Sequence, residues 1–115
     1  MATDVCCNFE LHATEIPIAC DLDAISASDR ARYNELRAML AAAAAGKREL
    51  PDGIAIKIAT DRMTLAQLAE WISHERKCCP FMDFRIEVGS NSGPVWLSLT
   101  GRLGVKEFLS HALTR

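Results

Sequence analysis

The fold is decided by residues 84–100, which read FRIEVGSNSGPVWLSLT. Two segments flank a turn at residues 89–94, and apolar side chains occupy every second position in each segment. A period of two is typical of a strand with one buried face, and the glycines and proline between the segments favour a turn. These residues therefore predict an antiparallel β-hairpin whose apolar side faces a core.

Two further segments have strand character. Residues 54–59 alternate isoleucine with alanine or lysine and follow the turn Leu50-Pro51-Asp52-Gly53, in which proline presets φ and glycine permits a positive φ. Residues 5–13 also alternate, and we expect them to form an edge strand within an N-terminal extension, residues 1–15. With the hairpin, these segments make four strands.

Three helices are expected between and after the strands. The first follows Ser26 and reaches about Ala45, with Gly46 just past its end, where glycine is common. The second begins with a capping box at Thr64 and ends before Pro80. A short third helix follows near the C-terminus. The side chains expected to face inward are Leu36, Met39, Leu40 and Ala43, then Leu65, Leu68, Ala69 and Ile72, then Val105, Phe108, Leu109 and Ala112.

The resulting order, β-α-β-α-β-β-α, predicts an α+β fold in one domain, residues 1–115. Each strand has one apolar face and each helix one apolar stripe, so we expect a mostly antiparallel four-stranded sheet with the helices packed on one face. The other face is then available to a second copy. A homodimer is therefore expected, with Trp96 of the hairpin at the contact.

Composition excludes several classes of partner. The formal net charge is −2 and the basic residues are scattered, which argues against a nucleic-acid partner and against an anionic membrane surface. No apolar run approaches the roughly 20 residues of a spanning helix, and residues 1–4 do not resemble the start of a signal peptide. The expected location is the cytoplasm.

The five cysteines are unusual for a chain of 115 residues. An odd number cannot be fully paired within one chain, and a reducing compartment disfavours structural disulfides. The thiols are therefore expected to be free, metal-bound or redox-active. Cys6 and Cys7 point to opposite faces of the expected strand, so at most one of them can join the others.

The segment with the strongest chemical character is residues 71–81, WISHERKCCPF. Glu75 lies one helical turn before the adjacent cysteines, and Pro80 draws the second cysteine out of the helical conformation, so that both thiols can turn together. Thiolate, imidazole and carboxylate groups are ligands for soft or borderline metals. The expected ligands of a metal or metalloid ion are Cys78, Cys79 and Cys20, with Glu75 and His74 as the oxygen and nitrogen candidates.

Two alternatives remain open at this point. One is a thiol redox switch or thiol-dependent enzyme using Cys78 and Cys79, although a helix C-terminus raises thiol pKa and adjacent Cα atoms, about 3.8 Å apart, strain a disulfide. The other is a structural or interaction domain in which Cys79 packs near the apolar stripe while Cys78 lies towards the polar flank beside Trp71. No catalytic residue is assigned.

The run ERKCCPF at residues 75–81, with GPVWL at 93–97 and the Cys20-Asp21-Leu22 segment, resembles a family of small uncharacterised bacterial proteins with an E-R-x-C-C-P-F signature. The resemblance covers roughly residue 18 to the C-terminus. It implies that Cys20, Cys78 and Cys79 are the family's thiols and that Cys6 and Cys7 belong to this chain alone. It also implies an association with metal or metalloid resistance. The ion itself is expected, from the softness of the thiolate ligands, to be zinc or another thiophilic ion.

Overall fold

The computed structural model describes residues 17–113, in which three helices and four strands surround one apolar cluster. The expected strand at residues 5–13 lies outside the described residues. A short 3₁₀ turn, Leu22–Ala24, precedes the first helix. The helices are α1 (Ala27–Ala43), α2 (Leu65–Cys78) and α3 (Val105–Leu113), and the strands are β1 (Ala44–Leu50), β2 (Gly53–Ile58), β3 (Met82–Val88) and β4 (Val95–Gly101).

The four strands form one antiparallel sheet in the order β1-β2-β4-β3, which confirms the α+β fold class. The predicted hairpin is β3–β4, paired from Met82 opposite Gly101 to Val88 opposite Val95. Its turn places Asn91 at a φ of 55° and the next residue at 56°. Asparagine tolerates this left-handed region better than most residues, which suits the tight connection.

One face of the sheet carries the core. Ile54 and Ile56 of β2 lie opposite Leu99 and Leu97 of β4, and all four are buried. The indole of α2 residue Trp71 packs edge-on against Phe84, which pairs with Leu99 and lies on the same face. Lys106 of α3 forms a salt bridge with Glu49 of β1. Glu49 pairs with Ile54 and therefore lies on the same face of the sheet as the core.

The opposite face is more polar and its largest side chain is partly covered. Trp96 of β4 is half-buried, with the guanidinium of Arg48 4.1 Å from its ring centroid. The expected homodimer over this face stays a prediction. Within residues 17–113, no helix has both the length and the apolar character that crossing a bilayer requires.

Strand β1 corrects the expectation of a helix reaching Ala45 and ending at a C-terminal glycine. The helix ends at Ala43, and Gly46 lies inside β1, next to an irregularity in its pairing with β2. The strand carries Lys47 and Glu49 on the face where β2 carries isoleucines. It therefore lacks apolar alternation, and the hydrogen bonds to β2 define it instead.

Helix α2 buries a face that only partly matches the one expected, since Leu68 is buried and Ile72 packs against the core as predicted. Leu65 is 42% exposed and Ala69 is also exposed. The buried residues are Leu68, Trp71, Glu75 and Cys78. Trp71 is drawn inward by its contact with β3, and α1 covers the flank that carries Glu75, so the buried stripe is rotated. This rotation places a carboxylate and a thiol inside the protein.

Candidate metal centre

The end of α2 brings the adjacent cysteines together. The helix ends at Cys78, and Cys79 has φ −126° and ψ 70°, outside the helical region, directly before Pro80. The Cys79 amide still donates to the carbonyl of Glu75, at 2.7 Å. Adjacent side chains on a regular helix diverge by about 100°. Here the departure of Cys79 from the helix leaves the two sulfurs 3.9 Å apart.

The third thiol belongs to Cys20, which lies on a non-helical segment that caps the C-terminal end of α2. The amide of Asp21 donates to the carbonyl of Cys78 at 2.9 Å, so that one of the open carbonyls at the end of α2 is satisfied. Ile18 packs against the core on one side of this segment, and Ile25 is fully buried on the other. Between these anchors, Cys20 places its sulfur 3.1 Å from that of Cys79.

The sulfurs of Cys20, Cys78 and Cys79 lie within 4.8 Å of one another, and all three cysteines are free thiols. Thiolates bound to one tetrahedral zinc ion are about 3.8 Å apart, given a Zn–S length of about 2.3 Å. The contacts of 3.1 and 3.9 Å lie on either side of that spacing. Cys20 is exposed whereas the other two have no exposed surface, so the cluster opens to solvent on the Cys20 side.

Glu75 adjoins the cluster as a buried carboxyl group, 9% exposed. Its Oε2 accepts a hydrogen bond from the Cys79 thiol at 3.3 Å, and its Oε1 accepts one from the Tyr33 hydroxyl at 2.6 Å. Within residues 17–113, no basic side chain forms an ion pair with Glu75. A buried carboxylate without a cation is costly. Its position beside three thiols is therefore more typical of a binding site than of a packed core.

Burial keeps the inner thiols protonated. Desolvation raises the pKa of Cys79, and the nearby Glu75 carboxylate raises it further. Desolvation also raises the pKa of Cys78, with a further rise from the charges of Cys20 and Glu75. The sequence predicted a raised thiol pKa from the helix C-terminus, and in the structure desolvation by burial is the first cause of the rise in the pKa of both thiols. An ion that binds these sulfurs must therefore displace their protons.

His74, the expected nitrogen ligand, is not part of the three-sulfur group. Its ring lies edge-on against that of Tyr33, with 6.4 Å between the ring centroids. Its Nδ1 is buried and has no hydrogen-bond partner within the described residues. The structure thus brings together Cys20, Cys78 and Cys79, places Glu75 in contact with Cys79, and places His74 beside Tyr33.

Tyr33 is the residue of this site that the sequence analysis missed. It precedes Leu36 by three positions on α1, and both are buried, so it belongs to the inward stripe of that helix. A buried tyrosine hydroxyl normally finds a hydrogen-bond partner. The need of a buried hydroxyl for a partner was the one signal available in the sequence. It does not say which group is the partner, and only the packing of α1 on α2 identifies Glu75.

Comparison of the chain with protein-family models, with curated proteins and with solved structures finds no significant match. The resemblance through E-R-x-C-C-P-F therefore stays a prediction. The class of site that the residues define is a cluster of three free cysteines able to hold a metal ion.

Proposed function

We propose that this protein binds a thiophilic metal or metalloid ion through Cys20, Cys78 and Cys79. The observation that carries the proposal is the convergence of three free sulfurs, from two separate segments, within 4.8 Å. Thiolate ligands select soft and borderline ions such as zinc, and discriminate against magnesium and calcium. The role that fits such a domain is that of an accessory, sensor or sequestration protein, rather than an enzyme with an assigned catalytic residue.

One thiol of the cluster is exposed and two are buried, and this arrangement supports reversible binding of an ion. Cys20 meets the ion first because it is exposed, and the two buried thiols then complete the coordination in a site protected from water. Each thiol releases its proton on binding, and the ion's positive charge replaces the protons as the partner of the sulfurs. An ion also supplies the positive charge that Glu75 lacks among its described neighbours.

The candidate ions differ in the number of ligand atoms that they require. A trivalent metalloid is satisfied by three thiolates, whereas zinc in a structural site takes four ligands. Glu75 is the fourth donor proposed for zinc, because its Oε2 lies 3.3 Å from the Cys79 sulfur. His74 is the nitrogen alternative and requires its ring to leave Tyr33. Free thiols persist in a reducing compartment, so the cytoplasm is the proposed location.

Cysteines that only pack would explain part of this arrangement. Burial of Cys78 and Cys79 in the apolar cluster is ordinary for small apolar side chains. Packing does not require an exposed third sulfur at 3.1 Å from one of them. Ion binding explains all three positions.

Native mass spectrometry during titration with zinc, arsenite and mercuric ion tests the proposal. All proteins carry Cys6→Ser and Cys7→Ser, so that the N-terminal thiols cannot bind the probes. We expect a one-to-one adduct with at least one ion. Because Cys20 is exposed, Cys20→Ser should leave the fold intact and weaken binding by at least about 100-fold, a loss at the upper end of that seen when outer-shell partners are removed.

Two buried variants and a folding measurement complete this experiment. Cys78→Ala and Cys79→Ala should also lose the adduct, while circular dichroism establishes whether each variant is folded. An X-ray absorption spectrum of the zinc adduct should contain sulfur at about 2.3 Å. No adduct with any of the three ions, or an adduct of unchanged affinity in folded Cys20→Ser, would contradict the proposal.

A further inference from the structure

The two sulfur contacts that Cys79 makes within the cluster differ in length. The sulfurs of Cys20 and Cys79 are 3.1 Å apart, whereas those of Cys78 and Cys79 are 3.9 Å apart. Bonded sulfurs are about 2.05 Å apart, so the closer pair needs an approach of about 1 Å. The two residues are 59 positions apart in the chain, so their bond avoids the strain of a disulfide between neighbours.

The members of this pair also differ in access to solvent. Cys20 is exposed, and Cys79 has no exposed surface. A small oxidant from solvent therefore reaches Cys20 first. The buried sulfur of Cys79, 3.1 Å away, can then attack the oxidised Cys20. This is the arrangement of an accessible thiol beside a resolving thiol.

We propose that peroxide oxidises Cys20 and Cys79 to a disulfide, and that this oxidation releases the bound ion; the second half of the inference rests on the proposed function. In the first step, the Cys20 sulfur attacks hydrogen peroxide. An S–O bond forms, the O–O bond breaks, and Cys20 sulfenic acid and water are produced. In the second step, the Cys79 sulfur attacks the Cys20 sulfur, an S–S bond forms and the S–O bond breaks. The hydroxyl leaves with the Cys79 proton as a second water.

The consequence for the ion follows from the number of ligands. The disulfide removes two of the three sulfurs from coordination and leaves Cys78 as the last thiolate. One thiolate, even with Glu75 nearby, is too small a donor set for a structural zinc site, which takes four ligands. Reduction of the disulfide by a dithiol takes up two electrons and two protons and restores both thiols. The cluster thus links ion occupancy to the redox state.

The pair is tested first without any ion. Ion-free protein carrying Cys6→Ser and Cys7→Ser is treated with hydrogen peroxide, and its intact mass should fall by two hydrogens. Trypsin cleaves after Lys77 and Arg85, so both adjacent cysteines lie in one peptide, and variants must assign the partner. The crosslink from that peptide to Cys20 should persist in Cys78→Ala and disappear in Cys79→Ala. A disulfide within the peptide, or a crosslink that requires Cys78, would overturn the inference.

Ion release is tested separately on zinc-loaded protein. Zinc freed by peroxide is followed with a chromophoric chelator, alongside the crosslink from Cys20 to Cys79. We expect the two signals to rise together and dithiothreitol to restore zinc binding. A crosslink that forms while zinc stays bound would overturn the coupling. Failure of zinc, arsenite and mercuric ion to bind would sink the proposed function alone, because the ion-free measurement decides the identity of the disulfide by itself.

Discussion

Arg32 and Tyr33 are neighbours on α1, and each contacts a glutamate of α2. Arg32 donates two hydrogen bonds to the half-buried Glu70, at 2.8 and 2.9 Å. Tyr33 donates one to the buried Glu75, at 2.6 Å. Glu70 is thus paired with a full positive charge, which lowers the pKa of its carboxyl group. From the residues that the structure describes, Glu75 receives only neutral donors, the tyrosine hydroxyl and the Cys79 thiol.

This difference is informative because burial normally increases the need for a counter-charge. Water solvates Glu70 and reduces the value of its ion pair. Glu75 has little water and no basic partner among the described residues. The two contacts hold the same pair of helices together, but only the inner one leaves a negative group prepared for a cation. The predictions below test the two contacts against each other.

The largest effect is expected from removal of the inner side chain. Tyr33 is 3% exposed, and Tyr33→Ala leaves a cavity between α1 and α2. We expect the free energy of unfolding to fall by about 3–5 kcal/mol, as for other buried aromatic residues. Urea denaturation followed by circular dichroism measures this. A fall similar to that of an exposed substitution would contradict the buried position.

A smaller loss is expected when only the hydroxyl is removed. Tyr33→Phe keeps the ring but leaves Glu75 Oε1 without its hydrogen-bond donor. An unsatisfied buried acceptor costs about 1–3 kcal/mol. A double-mutant cycle with Glu75→Gln should give a coupling of about 0.5–3 kcal/mol. Additive effects of the two substitutions would show that the contact is energetically unimportant.

The inner thiols predict a loss of stability in alkaline solution. Burial raises the pKa of Cys78 and Cys79, so the folded protein keeps protons that the unfolded chain loses above about pH 8.5. Below that pH both states hold these protons, and above it the free energy of unfolding falls as pH rises. Ion-free protein should therefore give a declining denaturation midpoint above about pH 8.5. A folded Cys78→Ala/Cys79→Ala variant should decline less, and an equal decline would contradict this cause.

The smallest effect is expected at the outer contact. Arg32→Ala removes two hydrogen bonds to Glu70, but both side chains are solvated and other packing between α1 and α2 remains. We expect a much smaller change in the denaturation midpoint than for Tyr33→Phe, and a change that salt reduces further. An effect as large as that of Tyr33→Phe would remove the distinction between the two contacts.

The parts of the fold that the sequence predicted are those with local signals. The β3–β4 hairpin follows from alternation and its turn, and the capping box at Thr64 is present with both of its hydrogen bonds to Gln67. Strand β1 has no such signal, because Lys47 and Glu49 occupy the positions where apolar residues would mark a buried face. Its structure depends on pairing with β2.

The candidate site likewise has one part that local sequence signals predict and one part that depends on long-range contacts. Pro80 predicted that Cys79 leaves the helix, which is a local effect. The approach of Cys20 depends on the hydrogen bond from Asp21 to the Cys78 carbonyl, across more than fifty residues of chain. The Tyr33 contact depends on how α1 packs against α2. Neither long-range contact follows from a fixed spacing between residues, so neither could be predicted from the periodicity of the sequence.

The charges of β1 also affect how the protein behaves when concentrated. Among the described residues β1 is an edge strand, and it exposes backbone N–H and carbonyl groups that another chain could pair with. Lys47 and Glu49 project on one face and Arg48 on the other. A foreign strand added here would have to bury charged groups on both of its sides. The same charges that remove apolar alternation from β1 therefore protect this edge of the sheet from pairing with another chain.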